Sequence, residues 1–334
     1  MGIAAALTIM VLAAALSAGL ILALRALLAR YALARPNARS SHVVPTPQGG
    51  GIAVMLATIL AAFAATTVVA GVDRLELGAL FAAAVLLAVV GAVDDIVPTP
   101  QFPRLIMQFV AVAAVVSLLP NELRIMSAAP LLLDRALLVV AGVWAVNLTN
   151  FMDGLDWMTV VEVVPVTAGC VILAFMGALS ASGLVVALAL LGAIIGFAPF
   201  NRPVAHLFLG DVGSLPIGLL LFWLLVELAA NGHVVSALLL PLYYVADATI
   251  TLIKRAARGE NVLEAHRTHF YQLATARGWP VRYVITRVFA VNVLLVALAL
   301  VSAAARSLPL QIAALSVGAC AVGLLLAWMW RGKR

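Results

Sequence analysis

Apolar runs of close to twenty residues follow one another along nearly the whole chain, separated by short polar breaks. A run of that length crosses the hydrocarbon core of a bilayer as one α-helix. The pattern predicts helices at about 3–24, 50–72, 77–93, 104–120, 135–150, 158–177, 183–200, 215–230, 234–253, 284–304 and 308–329. That makes about eleven spans in an all-α, polytopic integral membrane protein. Gly, Pro, Asn, Asp and His collect in the connections at about 25–49, 94–103, 147–157, 201–214 and 254–283. Loops held by a rigid scaffold are where function concentrates, so these five are the expected functional segments of a single transmembrane domain, 1–334.

Composition agrees with the pattern. Of 334 residues, 65% are hydrophobic and 10% charged, too little polar surface for a soluble domain. The net charge of +6 is a topology signal rather than a nucleic-acid footprint. With the N-terminus outside, only Arg74, Arg124, Arg135 and Arg306 of the 20 basic residues fall on the outer side. Cytoplasmic loops carry the excess of Lys and Arg, so the C-terminus and the five polar loops are expected in the cytoplasm. Met1–Leu24 lacks a basic leading region and reads as a first span, not a cleaved signal. Cys170 and Cys320 lie in apolar runs without metal-ligand spacing and read as packing residues.

Asp94, Asp95, Asp153, Asp156 and Asp211 all map to the cytoplasmic face, against Asp73 and Asp134 on the other. A charged Asp at mid-bilayer costs ~2.5–3.5 kcal/mol, so edge placement is expected, but not the choice of edge. Asp94 and Asp95 close the third span, where the helix dipole disfavours a carboxylate by ~0.3–1 kcal/mol. A bound cation reverses that sign. The Val97-Pro98 step ends the helix, so that one acid can ligate metal while its neighbour acts as a base or orients a phosphate. Asp153 and Asp156, three apart, would share one face of a helical turn. Mg²⁺, which takes one or two carboxylates plus substrate phosphates, fits this better than zinc, with Mn²⁺ as an alternative.

Other polar groups have two readings each. Gly210-Asp211-Val212-Gly213-Ser214 reads as a helix start, with Ser214 as N-cap and Pro216 in the first turn. It also offers backbone N–H groups to an anion. Gly49-Gly50-Gly51 exceeds what a turn requires and suggests close backbone approach to a ligand. His266 and His269 would share a helical face in a loop with Lys254, Arg255, Arg258 and Arg267. Basic residues there are topology markers first and phosphate binders second. Asn147 and Asn150 either cap a helix or reach a substrate. Asp247 precedes Lys254 by seven residues on one helical face, compatible with an internal ion pair. Glu162 and Glu227 receive no role.

Five blocks together resemble the polyprenyl-phosphate N-acetylhexosamine-1-phosphate transferase family of the glycosyltransferase family 4 type. They are Arg39-Ser40-Ser41-His42 through Pro45-Thr46-Pro47 to Gly49-Gly50-Gly51; Gly91-Ala92-Val93-Asp94-Asp95; Asn147 through Asp156; Phe208 through Ser214; and Ala265 through Gln272. The resemblance implies catalytic roles for Asp94 and Asp95 and metal ligation by Asp94, Asp153 and Asp211. It implies substrate contacts from Thr46, Gly49, Gly50, Arg104, Asn147, Asn150, Asp156, Gly210, Ser214, His266, Arg267 and His269. Pro98 stands where the peptidoglycan enzymes carry lysine, which favours the O-antigen and common-antigen branch. Trp157 replaces the usual glycine, and Gln48 a common arginine.

The implied reaction moves an N-acetylhexosamine-1-phosphate from a UDP-sugar to polyprenyl (undecaprenyl) phosphate, giving lipid diphospho-sugar and UMP at the cytoplasmic face of a bacterial inner membrane. The expected partners are the polyprenyl phosphate, the UDP-N-acetylhexosamine and the membrane, with no nucleic acid and a homodimer left open. The rival is a multispan secondary transporter, which would put ionisable groups and broken helices at the midplane rather than at one edge.

Overall fold

The computed structural model describes residues 1–34, 45–97, 99–126, 128–262, 264, 266–305 and 307–332. The Arg39-Ser40-Ser41-His42 block, Pro98, Ala265, Arg306 and the Lys333-Arg334 pair lie outside the described residues. Among the described residues the chain is all-α apart from one small ribbon. Its helices are α1 (Ile3–Tyr31), α2 (Gly50–Ala65), α3 (Arg74–Ile96), α4 (Gln101–Ser117), α5 (Leu131–Met152), α6 (Met158–Phe175) and α7 (Ala181–Phe197). They continue with α8 (Asp211–Ala230), α9 (Val234–Leu239), α10 (Leu242–Ala256), α11 (Phe270–Ala276), α12 (Val281–Ala304) and α13 (Leu308–Arg331). Strands β1 (Leu33–Ala34) and β2 (Thr46–Pro47) pair antiparallel, with Leu33 opposite Pro47 and Ala34 opposite Thr46.

Among the described residues, seven helices are long and apolar enough to cross a membrane: α1, α3, α5, α6, α8, α12 and α13. The shorter apolar helices α2, α4 and α7 complete the bundle. The expected helix 234–253 is not continuous. Pro241 follows α9 and N-caps α10, since a proline supplies no N–H to a helix interior and clashes with the preceding turn. α2 stops at Ala65, short of the expected 72. α8 starts at Asp211, four residues before the expected 215. Ser214 is therefore inside the helix, and Gly210 is the N-cap.

Side-chain caps set other starts. Asp73 accepts the N–H groups of Leu75 and Glu76 to begin α3, and Ser180 accepts that of Gly183 to begin α7. α8 is the hub. It packs against α2, α3, α5 and α7, and its side chains are buried almost all round. α1, α12 and α13 lie outside it with exposed apolar faces, as lipid contact requires.

Candidate active site

The acids meet where helix ends of opposite sense dock. Asp95, in the last turn of α3, takes the backbone N–H of Asp211 on one carboxylate oxygen at 3.0 Å and that of Val212 on the other at 3.1 Å. Those N–H groups belong to the first turn of α8, which has no intrahelical acceptor and carries partial positive charge. An acid disfavoured at the end of its own helix is thus stabilised by the start of another. Asp95 thus docks α3 on α8, each of its oxygens accepting one backbone N–H. Gln48 donates to the Asp95 backbone carbonyl at 2.6 Å and so caps α3 rather than facing the acids' side chains.

Glycines permit this approach. A Cβ at Gly91 would overlap the backbone of Asp211, one at Gly51 would overlap Gly213, and one at Gly210 would press on the Asp95 carboxylate. Gly50 and Gly51 donate to the carbonyls of Phe208 and Leu209 at 2.9 and 2.8 Å, and Gly49 N-caps α2. This glycine run makes its close approach to the chain's own backbone at the start of α8. Thr46 is buried in the adjoining ribbon.

Asp94 points elsewhere. Thr99 donates to one of its oxygens through N–H (2.7 Å) and hydroxyl (2.6 Å). The other oxygen pairs with Arg104 of α4. The same guanidinium group lies 3.5 Å from Asp211 Oδ2. Asn150 donates to Asp211 Oδ1 at 2.7 Å and to Ser214 Oγ at 3.0 Å. One turn earlier on α5, Asn147 donates to Gln108 of α4 at 2.6 Å. Thr99, absent from the sequence expectation, is the residue that orients Asp94; its signal was a hydroxyl directly before Pro100 in the break between two helices.

Asp153 and Asp156 do not share a helical turn. α5 ends at Met152, Asp153 is its C-cap, and α6 begins only at Met158. Asp153 accepts the Thr159 hydroxyl at 2.5 Å. Burial, reinforced by the charges of Asp211, Asp95 and Asp156 and opposed by that hydroxyl, pushes its carboxyl up to about 8. Asp156 is buried and accepts the Ala205 N–H at 3.0 Å, tying this connection to the loop before α8. Trp157 has φ +64°, which explains the glycine usual there. Its backbone N–H bonds Asn201 at 2.8 Å and its indole bonds the Ala198 carbonyl at 2.6 Å, holding the residue in place.

The histidine loop reaches this cluster through α11. Asp247 of α10 accepts the N–H groups of Phe270 and Tyr271 at 3.0 and 3.2 Å and faces His269 Nδ1 at 3.2 Å. It therefore caps α11, and the expected pair with Lys254 does not form. Tyr271 donates its hydroxyl to the Phe151 carbonyl at 2.9 Å, beside Asp153. His269 N-caps α11 and is buried. His266 precedes the helix and stacks on His269 at 4.8 Å, with half-buried Arg267 between them in sequence. Asp247→Ala is expected to destabilise the protein by ~3–5 kcal/mol, because it orphans two buried N–H groups and the His269 ring. The check is a fall in thermal midpoint together with early proteolysis in the loop before α11.

A cavity of 300 Å³ opens between α4 and α5 beside the acids. Phe102, Leu105 and Phe151 make it apolar, and Arg104, Gln108 and Asn147 give it a polar end. Among the described residues no three carboxylate, imidazole or thiol groups converge to hold a metal unaided, so Asp94, Asp153 and Asp211 are not a ready-made three-ligand site. Asp94 and Asp211 nevertheless face one guanidinium group. Their all-oxygen donor set suits a hard divalent cation that draws its remaining ligands from phosphates and water.

An all-α bundle with acids, arginine and amides gathered at one end of its helices defines a polytopic membrane protein with a polar site at the helix ends. Residues 77–229 match the family described as Glycosyl transferase family 4. The chain is 26% identical over 275 residues to the decaprenyl-phosphate N-acetylglucosaminephosphotransferase of Mycobacterium tuberculosis (strain ATCC 25618 / H37Rv), covering 72% of this chain and 68% of that protein. The protein of the same name from Mycobacterium leprae (strain TN) is 25% identical over 295 residues, 77% of this chain and 73% of that one. The phospho-N-acetylmuramoyl-pentapeptide-transferase of Mycobacterium leprae (strain TN) is 30% identical over 187 residues, half of each chain. The similarity of residues 77–229 to glycosyl transferase family 4 agrees with the resemblance read from the chain's motifs. The matched region contains Asp94, Asp95, Asp153, Asp156 and Asp211, while the histidine loop lies beyond it.

Proposed function

We propose that the protein transfers an N-acetylhexosamine-1-phosphate from a UDP-sugar to polyprenyl phosphate, with the site on the cytoplasmic face of a bacterial inner membrane. The observation that carries this reading is the convergence of Asp94, Arg104 and Asp211, from three helices, at the polar end of an apolar cavity. A lipid phosphate needs that combination: an apolar trough for the chain and a cationic end for its head. Both reactants are anions, so approach requires charge neutralisation and in-line positioning.

Mg²⁺ held by Asp94 and Asp211, with Mn²⁺ as a substitute, would neutralise the donor diphosphate. Arg104 binds the acceptor phosphate. An oxygen of that phosphate attacks the β-phosphorus of the donor directly. The new P–O bond forms as the bond from the β-phosphorus to the bridging oxygen breaks, and UMP departs with that oxygen. Asn150 holds Asp211 in register, and Asp95 fixes the two helix ends that carry Asp94 and Asp211. His266, Arg267 and His269 approach the donor phosphates from the α11 side. The Pro98 departure supports the O-antigen and common-antigen branch of the family over the peptidoglycan branch.

Purified protein incubated with undecaprenyl phosphate, Mg²⁺ and a panel of UDP-N-acetylhexosamines is expected to release UMP and form a lipid diphospho-sugar. Chelation with EDTA should abolish release, and added Mg²⁺ should restore it. Absence of UMP with every donor, from protein that is folded and lipid-supplied, would overturn the reading.

A further inference from the structure

A second pocket, of 190 Å³, opens between α10, α11 and the end of α13. It lies on the face of α11 that carries Phe270 and Leu273, with Arg277 just beyond at the C-cap; Tyr271 points the other way, to the Asp153 connection. Its walls bring together Lys254, Arg255, Arg258, Arg277 and the rings of Phe270 and Trp330.

The charge there is unbalanced. Arg255 is satisfied, bonding Glu260 at 2.8 Å and the carbonyls of Asn261 and Glu264 at 2.8 and 3.1 Å. Arg258 lies 3.8 Å from the same Glu260. Among the described residues Lys254 and Arg277 have no carboxylate partner. They rest instead on aromatic faces: Lys254 Nζ is 4.4 Å from the centre of Phe270 and 4.5 Å from that of Trp330, and Arg277 is 4.7 Å from Trp330. Ring faces hold cations without neutralising them. Among the described residues, these four cations share the one carboxylate of Glu260 as an ion-pair partner.

We infer that this pocket binds a phosphoryl group. A lysine point charge beside arginine forks is the donor set that phosphate oxygens take. The headgroup of an anionic phospholipid is one source. The ring of Trp330, in the last turn of the spanning helix α13, with Phe270 of α11 packed 6.0 Å from it, suits the level where acyl chain meets headgroup. Free phosphate is the other. Either anion would pin α11 to the end of α13 and so steady the histidine loop from behind.

The test reads binding and does not depend on transferase activity. Protein in neutral detergent is offered equal phosphatidylglycerol and phosphatidylcholine, and retained lipid is measured by native mass spectrometry. Phosphatidylglycerol should be retained preferentially, with the preference falling about fivefold for each cation removed in Lys254→Gln/Arg277→Gln. Arg258→Gln, at an exposed side chain, should lower it in the same direction without altering the thermal midpoint, and Arg74→Gln at the other end of the bundle should not lower it. In a separate arm inorganic phosphate replaces lipid. A rise in thermal midpoint in the native protein but not in Lys254→Gln/Arg277→Gln supports the pocket and names the soluble anion as its source. Equal retention of the two lipids with no effect of phosphate, or undiminished retention in the double variant, overturns the inference.

Discussion

Asp211→Asn is expected to lower turnover by on the order of 10³-fold, a few kcal/mol of transition-state stabilisation, while the protein stays folded. The two halves of that expectation rest on different atoms. Folding uses the Asp211 backbone N–H, which docks on Asp95 and survives the substitution. Asparagine also keeps an acceptor for the Asn150 amide. What disappears is the charge facing Arg104, and with it a ligand for a divalent cation. Asp94→Asn should behave similarly, since Thr99 can still donate to the remaining amide oxygen. The assay is UMP release per mole of protein, with the thermal midpoint measured on the same preparation. Full activity in both variants would remove these acids from the mechanism.

Gly51→Ala should do the reverse, removing folded protein rather than chemistry. Its Cβ would overlap Gly213 Cα and N, and neither backbone has a rotamer to yield. Overpacking of side chains costs ~1–3 kcal/mol, and a backbone clash sits at or above the top of that range. Gly91→Ala, whose Cβ meets the Asp211 backbone, should match it. Gly78→Ala is the control within α3. A Cβ there meets nothing, so alanine should be neutral or stabilise by ~0.5–1 kcal/mol through helix propensity. Folded yield after detergent extraction and the thermal midpoint read all three. Equal tolerance at 51, 78 and 91 would mean that the docking of α2 and α3 on the start of α8 is looser than described.

The elements were legible because an apolar run of spanning length has few alternatives, and the acids were legible because they crowd one side of a chain poor in charge. What the acids do was not. Asp95 looked like half of a working pair, but its partners are backbone N–H groups more than a hundred residues away, and backbone donors leave no mark in side-chain composition. The glycines at 49–51 announced a close approach, yet a single chain does not say to what, and the answer lies beside Gly213. Asp247 and Lys254 share a helical face, but α11 arrives between them and takes the carboxylate. The helix break at Pro241 did carry a signal, which the apolar residues on either side concealed. The positive φ at Trp157 explains the glycine usual there, and the bonds to Asn201 and the Ala198 carbonyl that hold a tryptophan in its place join segments some forty residues apart.

α8 is enclosed by protein along nearly its whole length, whereas α1, α12 and α13 present broad faces outward. Bilayers of different thickness would be met by tilting those outer helices. The depth of Asp211 relative to Asp94 is set by the contacts that α2, α3 and α5 make with α8, and those contacts lie on the enclosed side of each helix. The spacing between the reacting groups should therefore hold constant from a thin membrane to a thick one, even where the rim of the bundle adjusts.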